Sequence, residues 1–185
     1  MQLAGVGRGV ALTGIVQLLA SPGLFHPVFA GDPAVSKPEA DLIERFVADA
    51  RAKSCPGMNV KARPSQITKV ALKGEGGSEF LVRTQDDCHC SPTGNCTFWV
   101  LVPRGNAYRT LLTAGRVQGV NVMQSINQGY PDLELFGHDS AFESTHWTYR
   151  FDGKRHRRTK CVQWNYQDER DSQKILREPR ITPCS

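Results

Sequence analysis

The sequence predicts an α+β fold, mainly β, in which an N-terminal helix packs on an antiparallel β-meander or partly closed barrel stapled by disulfides. Three observations predict it. One segment alone, "SKPEADLIERFVADARAK", has helical spacing of its apolar residues. The chain after it breaks into short runs of period two, separated by Gly, Pro, Asn and Asp clusters. The cysteines are six, an even number.

The helix has a complete start and stop. Ser36 and Glu39 form a capping box, Pro38 sits in the first turn, and Leu42, Ile43, Phe46, Val47 and Ala50 make one apolar stripe. Pro56 and Gly57 end it near Cys55. Eight strand-like runs follow: "ITKVALKG", "SEFLVRT", "CTFWVLVP", "YRTLLT", "VQGVNVMQS", "DLELFG", "THWTYRFDG" and "KCVQWNY". Their breaks fall at "GEGG", "SPTGN", "PRGNA", "TAGR", "NQGYP" and "FDGK". In the last of these, Asp152-Gly153 predicts a tight hairpin with positive φ at both central residues. Trp147, Tyr149 and Phe151 alternate with His146, Thr148 and Arg150, so that strand offers one apolar and one polar face.

Residues 1–30 read as a secretory signal peptide. Arg8 is their only charge, "VALTGIVQLLA" is a short apolar core, and Val28 and Ala30 occupy the small-residue positions before a cut. The core is shorter than the roughly 20 residues a membrane span needs. Residues 31–185 are then expected to form a single exported globular domain, periplasmic or secreted, with no membrane span. Its length suffices for one core.

Export favours three disulfides. If "SPTGN" is a hairpin tip, Cys90 faces Cys96 and the bridge closes a short loop worth about 2 kcal/mol. Cys88 then pairs with Cys55 and ties helix to sheet, while Cys161 with Cys184 pins the C-terminal tail at about 3 kcal/mol. Cys88 with Cys96 and Cys55 with Cys90 is the competing arrangement. A zinc site from Cys88, His89, Cys90 and Cys96 has poor chelation geometry, because consecutive strand residues point to opposite sides. A redox Cys-x-x-Cys at a helix start is not present. No cofactor is expected.

In "ALKGEGGSEFLV", "CSPTGNCTFWVL", "GYPDLEL" and "WTYRFDGKRHR", in that order after a helix, the chain resembles a set of uncharacterised exported bacterial proteins. The resemblance covers Ile67 to Arg158 and implies the same hairpin architecture. It departs at the glycine loop, which in that set is richer in Asp and Asn. Glu75 and Glu79 are the carboxylates here, too few for a calcium site.

Two candidate sites emerge. His138 and His146, with Glu143 and Ser144 between them, supply the residue types of a small secreted hydrolase acting on nucleic acid or cell wall. No Gly-x-Ser-x-Gly elbow accompanies them. His89 and His156 are expected to be solvated. The second candidate is basic: Lys154, Arg155, Arg157, Arg158 and Lys160, followed by Trp164 and Tyr166. Residues 31–185 hold 22 basic and 18 acidic side chains, and Arg150 to Arg180 alone is net +5, so the positive field is regional. Arginine forks beside aromatic faces suit carboxylates and phosphates. The run serves as a solubilising edge, or binds an envelope protein or anionic polymer. Nucleic acid is disfavoured, since the paired histidines and lysine of a basic ribonuclease are not recognisable. The leading expectation is a non-enzymatic exported binding module, of the inhibitor or immunity class, with the "SPTGN" tip or the basic hairpin as its contact.

Overall fold

A computed structural model describes residues 34–61, 63–74, 77–171 and 173–184; the expected signal peptide and Glu75 lie outside these. The helix α1 runs Lys37–Ser54, and nine strands follow: β1 Gln66–Val70, β2 Glu79–Arg83, β3 Cys96–Arg104, β4 Ala107–Val117, β5 Gly119–Asn127, β6 Tyr130–His138, β7 Glu143–Phe151, β8 His156–Gln167 and β9 Ile175–Pro183. All neighbours pair antiparallel in chain order, but the meander breaks between β4 and β5. Two sheets result, β1-β2-β3-β4 and β5-β6-β7-β8-β9.

The central strands of the first sheet, β2 and β3, are buried on both faces. From β2 and β3, Phe80, Val82, Trp99 and Leu101 meet Ile43 and Val47 of the helix stripe. The alternate residues Leu81, Phe98 and Val100 face the second sheet, against Leu133, Leu135 and Phe151. This explains the unbroken apolar runs "FLV" and "FWVL", which a sheet with one wet face would interrupt. A bulge opposite Val100 and Leu101 leaves Leu111 without a strand partner, and both Leu111 and Leu112 enter the core.

The capping box forms as read. Glu39 Oε2 accepts from the Ser36 amide at 2.8 Å and its hydroxyl at 2.7 Å. Oε1 takes Lys69 Nζ of β1 at 2.8 Å. The Lys69 bond, then those from Ser36, hold the carboxyl down at about 2. A depressed carboxylate stabilises the fold fully above its unfolded value near 4.5, and that stability is lost as pH falls toward 2. Glu39→Gln is therefore expected to lower the urea midpoint at pH 7 by the equivalent of about 1 kcal/mol. It should also flatten the acid limb of the midpoint-against-pH curve; an acid limb as steep as wild type's contradicts this role.

The disulfides are Cys55–Cys88, Cys90–Cys96 and Cys161–Cys184, the first of the two arrangements the sequence left open. Three bridges and no free cysteine suit an oxidising compartment. Among the described residues no helix is long and apolar enough to cross a membrane.

Four local expectations are corrected. The tail is a strand, β9, despite Pro179, because an outermost strand tolerates a residue that cannot donate. "TAGR" lies inside β4, and the chain turns at Gln118 instead. At "FDGK" the turn is centred one residue later. Asp152 N donates to Arg155 O, Gly153 alone has positive φ, and Asp152 Oδ1 accepts the amides of Lys154 and Arg155. Finally, His89 and His156 are buried, with His156 turned against Phe151 and Tyr130.

Candidate functional site

The cysteine hairpin is organised by a carboxylate. Asp86, 1% exposed, accepts the amides of Cys88 and His89 and the His89 ring through Oδ1, and Arg51 Nε through Oδ2. His89 is then held edge-on to Trp99. Asp86, Cys88 and His89 converge closely enough to hold a metal ion. Cys88, however, is bonded to Cys55, and Asp86 is already saturated, so the donor set does not fit one. The tip "SPTGN" leaves Pro92 and Thr93 exposed. Asn95 fastens its base to β6, donating to His138 O at 2.6 Å and accepting from His138 N at 3.1 Å.

The hydrolase candidates are not brought together. Glu143 and His146 are three residues apart on one regular strand and so face opposite sides. Glu143 accepts from Asn165 instead. The His138 ring lies at the exposed end of β6. His146 does enter a relay, with an acid that sequence spacing did not suggest. Ser144 Oγ lies 3.1 Å from Nε2, and Nδ1 lies 3.3 Å from Glu134 Oε1. The His146 bond lowers the Glu134 pKa more than burial raises it. The imidazole is stacked 3.9 Å from Trp164 and 5.7 Å from Phe136.

The basic run is divided between two faces. Lys160 pairs with Thr148, and Trp164 stacks on His146, on the side of the second sheet that faces away from the core. Arg155 and Arg158 instead line a concavity of about 600 Å³ with Thr110, Leu111, Leu112, Thr113, Tyr149 and His156, whereas Arg157, which borders it, pairs with Arg150 on the opposite face and gives its guanidinium to Asp152. Lys154 is exposed in the turn, and its carbonyl accepts from Arg109 of β4, tying that end shut. A second concavity of about 580 Å³ adds Arg116, Trp147, Thr145, Gln163 and the Cys161–Cys184 bridge. The two share Thr113, Tyr149 and Arg158 and form one groove. No family model, curated protein or solved structure matches this chain.

The groove follows from unequal sheets. Four strands lie on five, and the inner face of β7 and β8 extends past β4, leaving Trp147 and Tyr149 half-buried. Burial raises the Tyr149 pKa and nearby Arg158 partly offsets this, so the phenol stays protonated at neutral pH and can donate. Asp139, at the Arg116 end, accepts from Thr145. Arg116 and the wall formed by β4 had no sequence signal, whereas the Trp147 and Tyr149 face was visible in the period-two alternation.

Two further hollows meet at Arg83. One, of about 670 Å³, lies under the "SPTGN" tip beside Arg63 and Ser91; the other, of about 390 Å³, opens between the sheets at Leu81, Phe98 and Val120. Arg83 spends one guanidinium nitrogen on the Gly94 carbonyl.

Proposed function

We propose that this chain is an exported, non-enzymatic binding module that holds an anionic partner in the groove between β4 and β7–β8. The observation that supports this best is the lining: Arg116, Arg155 and Arg158 stand around half-buried Trp147 and Tyr149, with Asp139 as the one carboxylate among the described lining residues. Guanidinium groups beside aromatic faces recognise carboxylates by paired hydrogen bonds while the rings exclude water. A rigid surface stapled by three disulfides suits binding without chemistry, as an inhibitor- or immunity-like module requires. The three bridges agree with a periplasmic or secreted location.

Fluorescein-labelled poly-L-glutamate tests the placement. Arg155→Ala/Arg158→Ala is expected to weaken its binding at least ten-fold and to flatten the salt dependence. A control variant, Lys53→Ala/Lys61→Ala, removes two exposed charges outside the groove and should bind as wild type does. Equal affinities for the two variants would sink this reading.

One observation favours the alternative, a small secreted hydrolase. Ser144, His146 and Glu134 are linked in the order of a serine–histidine–carboxylate triad. Ser144 is only 6% exposed, and none of the three residues lines the four concavities described. A nucleophile needs room for the reacting carbon, so the binding reading is preferred.

A further inference from the structure

The groove wall contributed by β4 is not a row of side chains. Its lining residues are consecutive, Thr110 to Thr113 in one half and Thr113 to Arg116 in the other. A strand face would give every second residue. Bulges at Leu111 and at Gly115–Arg116 account for part of that run, and the rest follows from the groove lying along the strand's edge. β4 is the outermost strand of its sheet, bonded to β3 alone. Among the described residues, no backbone group of Ala107–Val117 bonds to anything beyond the β3 ladder. In the half nearest Arg116 the floor alternates, with Thr145, Trp147 and Tyr149 from β7 and Cys161 and Gln163 from β8; in the other half the turn and the start of β8 line it with consecutive residues, Arg155 to Arg158.

We infer that the groove takes an extended peptide segment of a partner protein, added to β4 as a fifth strand of the first sheet. This rests on the groove reading and specifies its partner. An added strand would lie about 4.8 Å from β4 and about 10 Å above the second sheet. That position is directly over Trp147 and Tyr149, so the strand would complete a five-on-five sandwich. Thr110 to Gly115 of β4 offer about 20 Å of edge, and because the Arg116 carbonyl lies against Gly137 of β6, the end of a heptapeptide overhangs there. The backbone supplies affinity and the floor selects side chains, as in other strand additions. Small apolar groups suit the two rings, and carboxylates suit Arg116, Arg155 and Arg158 at the rim.

The segment therefore alternates apolar and acidic residues. A second copy of this chain is a poor occupant. Ala107–Val117 contains Arg109 and Arg116 and no carboxylate, so two β4 edges would bring like charges together.

The test uses the whole oxidised protein and the blocked heptapeptide Glu-Val-Glu-Val-Glu-Val-Glu. Alternate amides of a strand point to opposite sides, so N-methylation of the valines blocks one edge and of the glutamates the other. The expected result is asymmetry: one methylated isomer binds at least ten-fold more weakly than the other, at identical charge. Hydrogen exchange of Thr110 to Arg116 should slow with the parent peptide. If both isomers match the parent while Arg155→Ala/Arg158→Ala still weakens binding, strand addition is overturned and the groove reading stands. If neither the heptapeptide nor poly-L-glutamate depends on the arginines, both fail. Tighter binding of polygalacturonate without slowed exchange in β4, or dimerisation of the free protein with exchange slowed there, also overturns it.

Discussion

Replacing Asp86 by alanine is expected to cost the fold about 3 kcal/mol and to lower its melting temperature by about 10 °C. The carboxylate is 1% exposed and has four partners. Without it, the Cys88 amide at the head of the cysteine turn loses its acceptor, an unsatisfied donor costing about 1–3 kcal/mol if it stays buried, and the His89 amide keeps only its bond to the Asp86 carbonyl. Arg51 also loses its counter-charge while only 17% exposed. Partial escape of that side chain to water is why the lower end of the range for a broken buried pair is expected. Arg51 stands one turn before Cys55 on α1, and Asp86 stands two residues before Cys88. Salt bridge and disulfide are therefore parallel links between the helix end and the β2–β3 hairpin. Asp86→Asn keeps an acceptor for the amides but not the charge, and should fall between the two. Urea midpoints of the oxidised proteins measure this, with Asp87→Ala, at an exposed neighbour, as the near-neutral control. A wild-type midpoint for Asp86→Ala would mean that the hairpin is held by its sulfurs alone.

That residue illustrates what sequence could and could not reveal. Features fixed by neighbours along the chain were legible: the Ser36–Glu39 box, the helix stripe, the period-two runs and the loop closed by Cys90 and Cys96. Asp86 was not, since a buried carboxylate cannot be told from its exposed neighbour Asp87 until the helix is placed over it. The histidines failed similarly. His156 looks solvated in "KRHRRTK", yet cross-strand pairing with Phe151 turns it into the core.

The basic run shows the limit most clearly. Arg158 and Lys160 share parity and on a regular strand would share a face. The register shift opposite Thr148 and Tyr149 inserts Thr159, which leaves Arg158 over the groove and sends Lys160 to the opposite face beside Glu134. No composition or periodicity argument locates such a bulge. Nor does one locate the groove, which joins β4 to residues about 35 positions later and exists only because a four-stranded sheet rests on a five-stranded one.

The junction that sets this offset is at Gly137, and its substitution has the other large expected effect. A methyl group there would overlap the Arg116 backbone carbonyl and come within 3.3 Å of Asn95 Oδ1. Neither neighbour can yield cheaply. Arg116 already has a positive φ of 61° at the corner between β4 and β5, and Asn95 is held by two bonds to the His138 backbone. Alanine lowers the entropy of the unfolded chain relative to glycine, which alone would stabilise by about 0.4–1 kcal/mol. The strands must separate against that gain, so Gly137→Ala is expected to lose about 3 kcal/mol net. Gly115, two residues from the same corner, has open space around it, and Gly115→Ala should change stability by no more than about 0.5 kcal/mol. Because the strain lands on Arg116, the variant should also bind the Glu-Val heptapeptide several-fold more weakly at temperatures where it remains folded. Equal urea midpoints for the two alanine variants would contradict the close approach of β4 to β6, and with it the position of the edge that forms the groove wall.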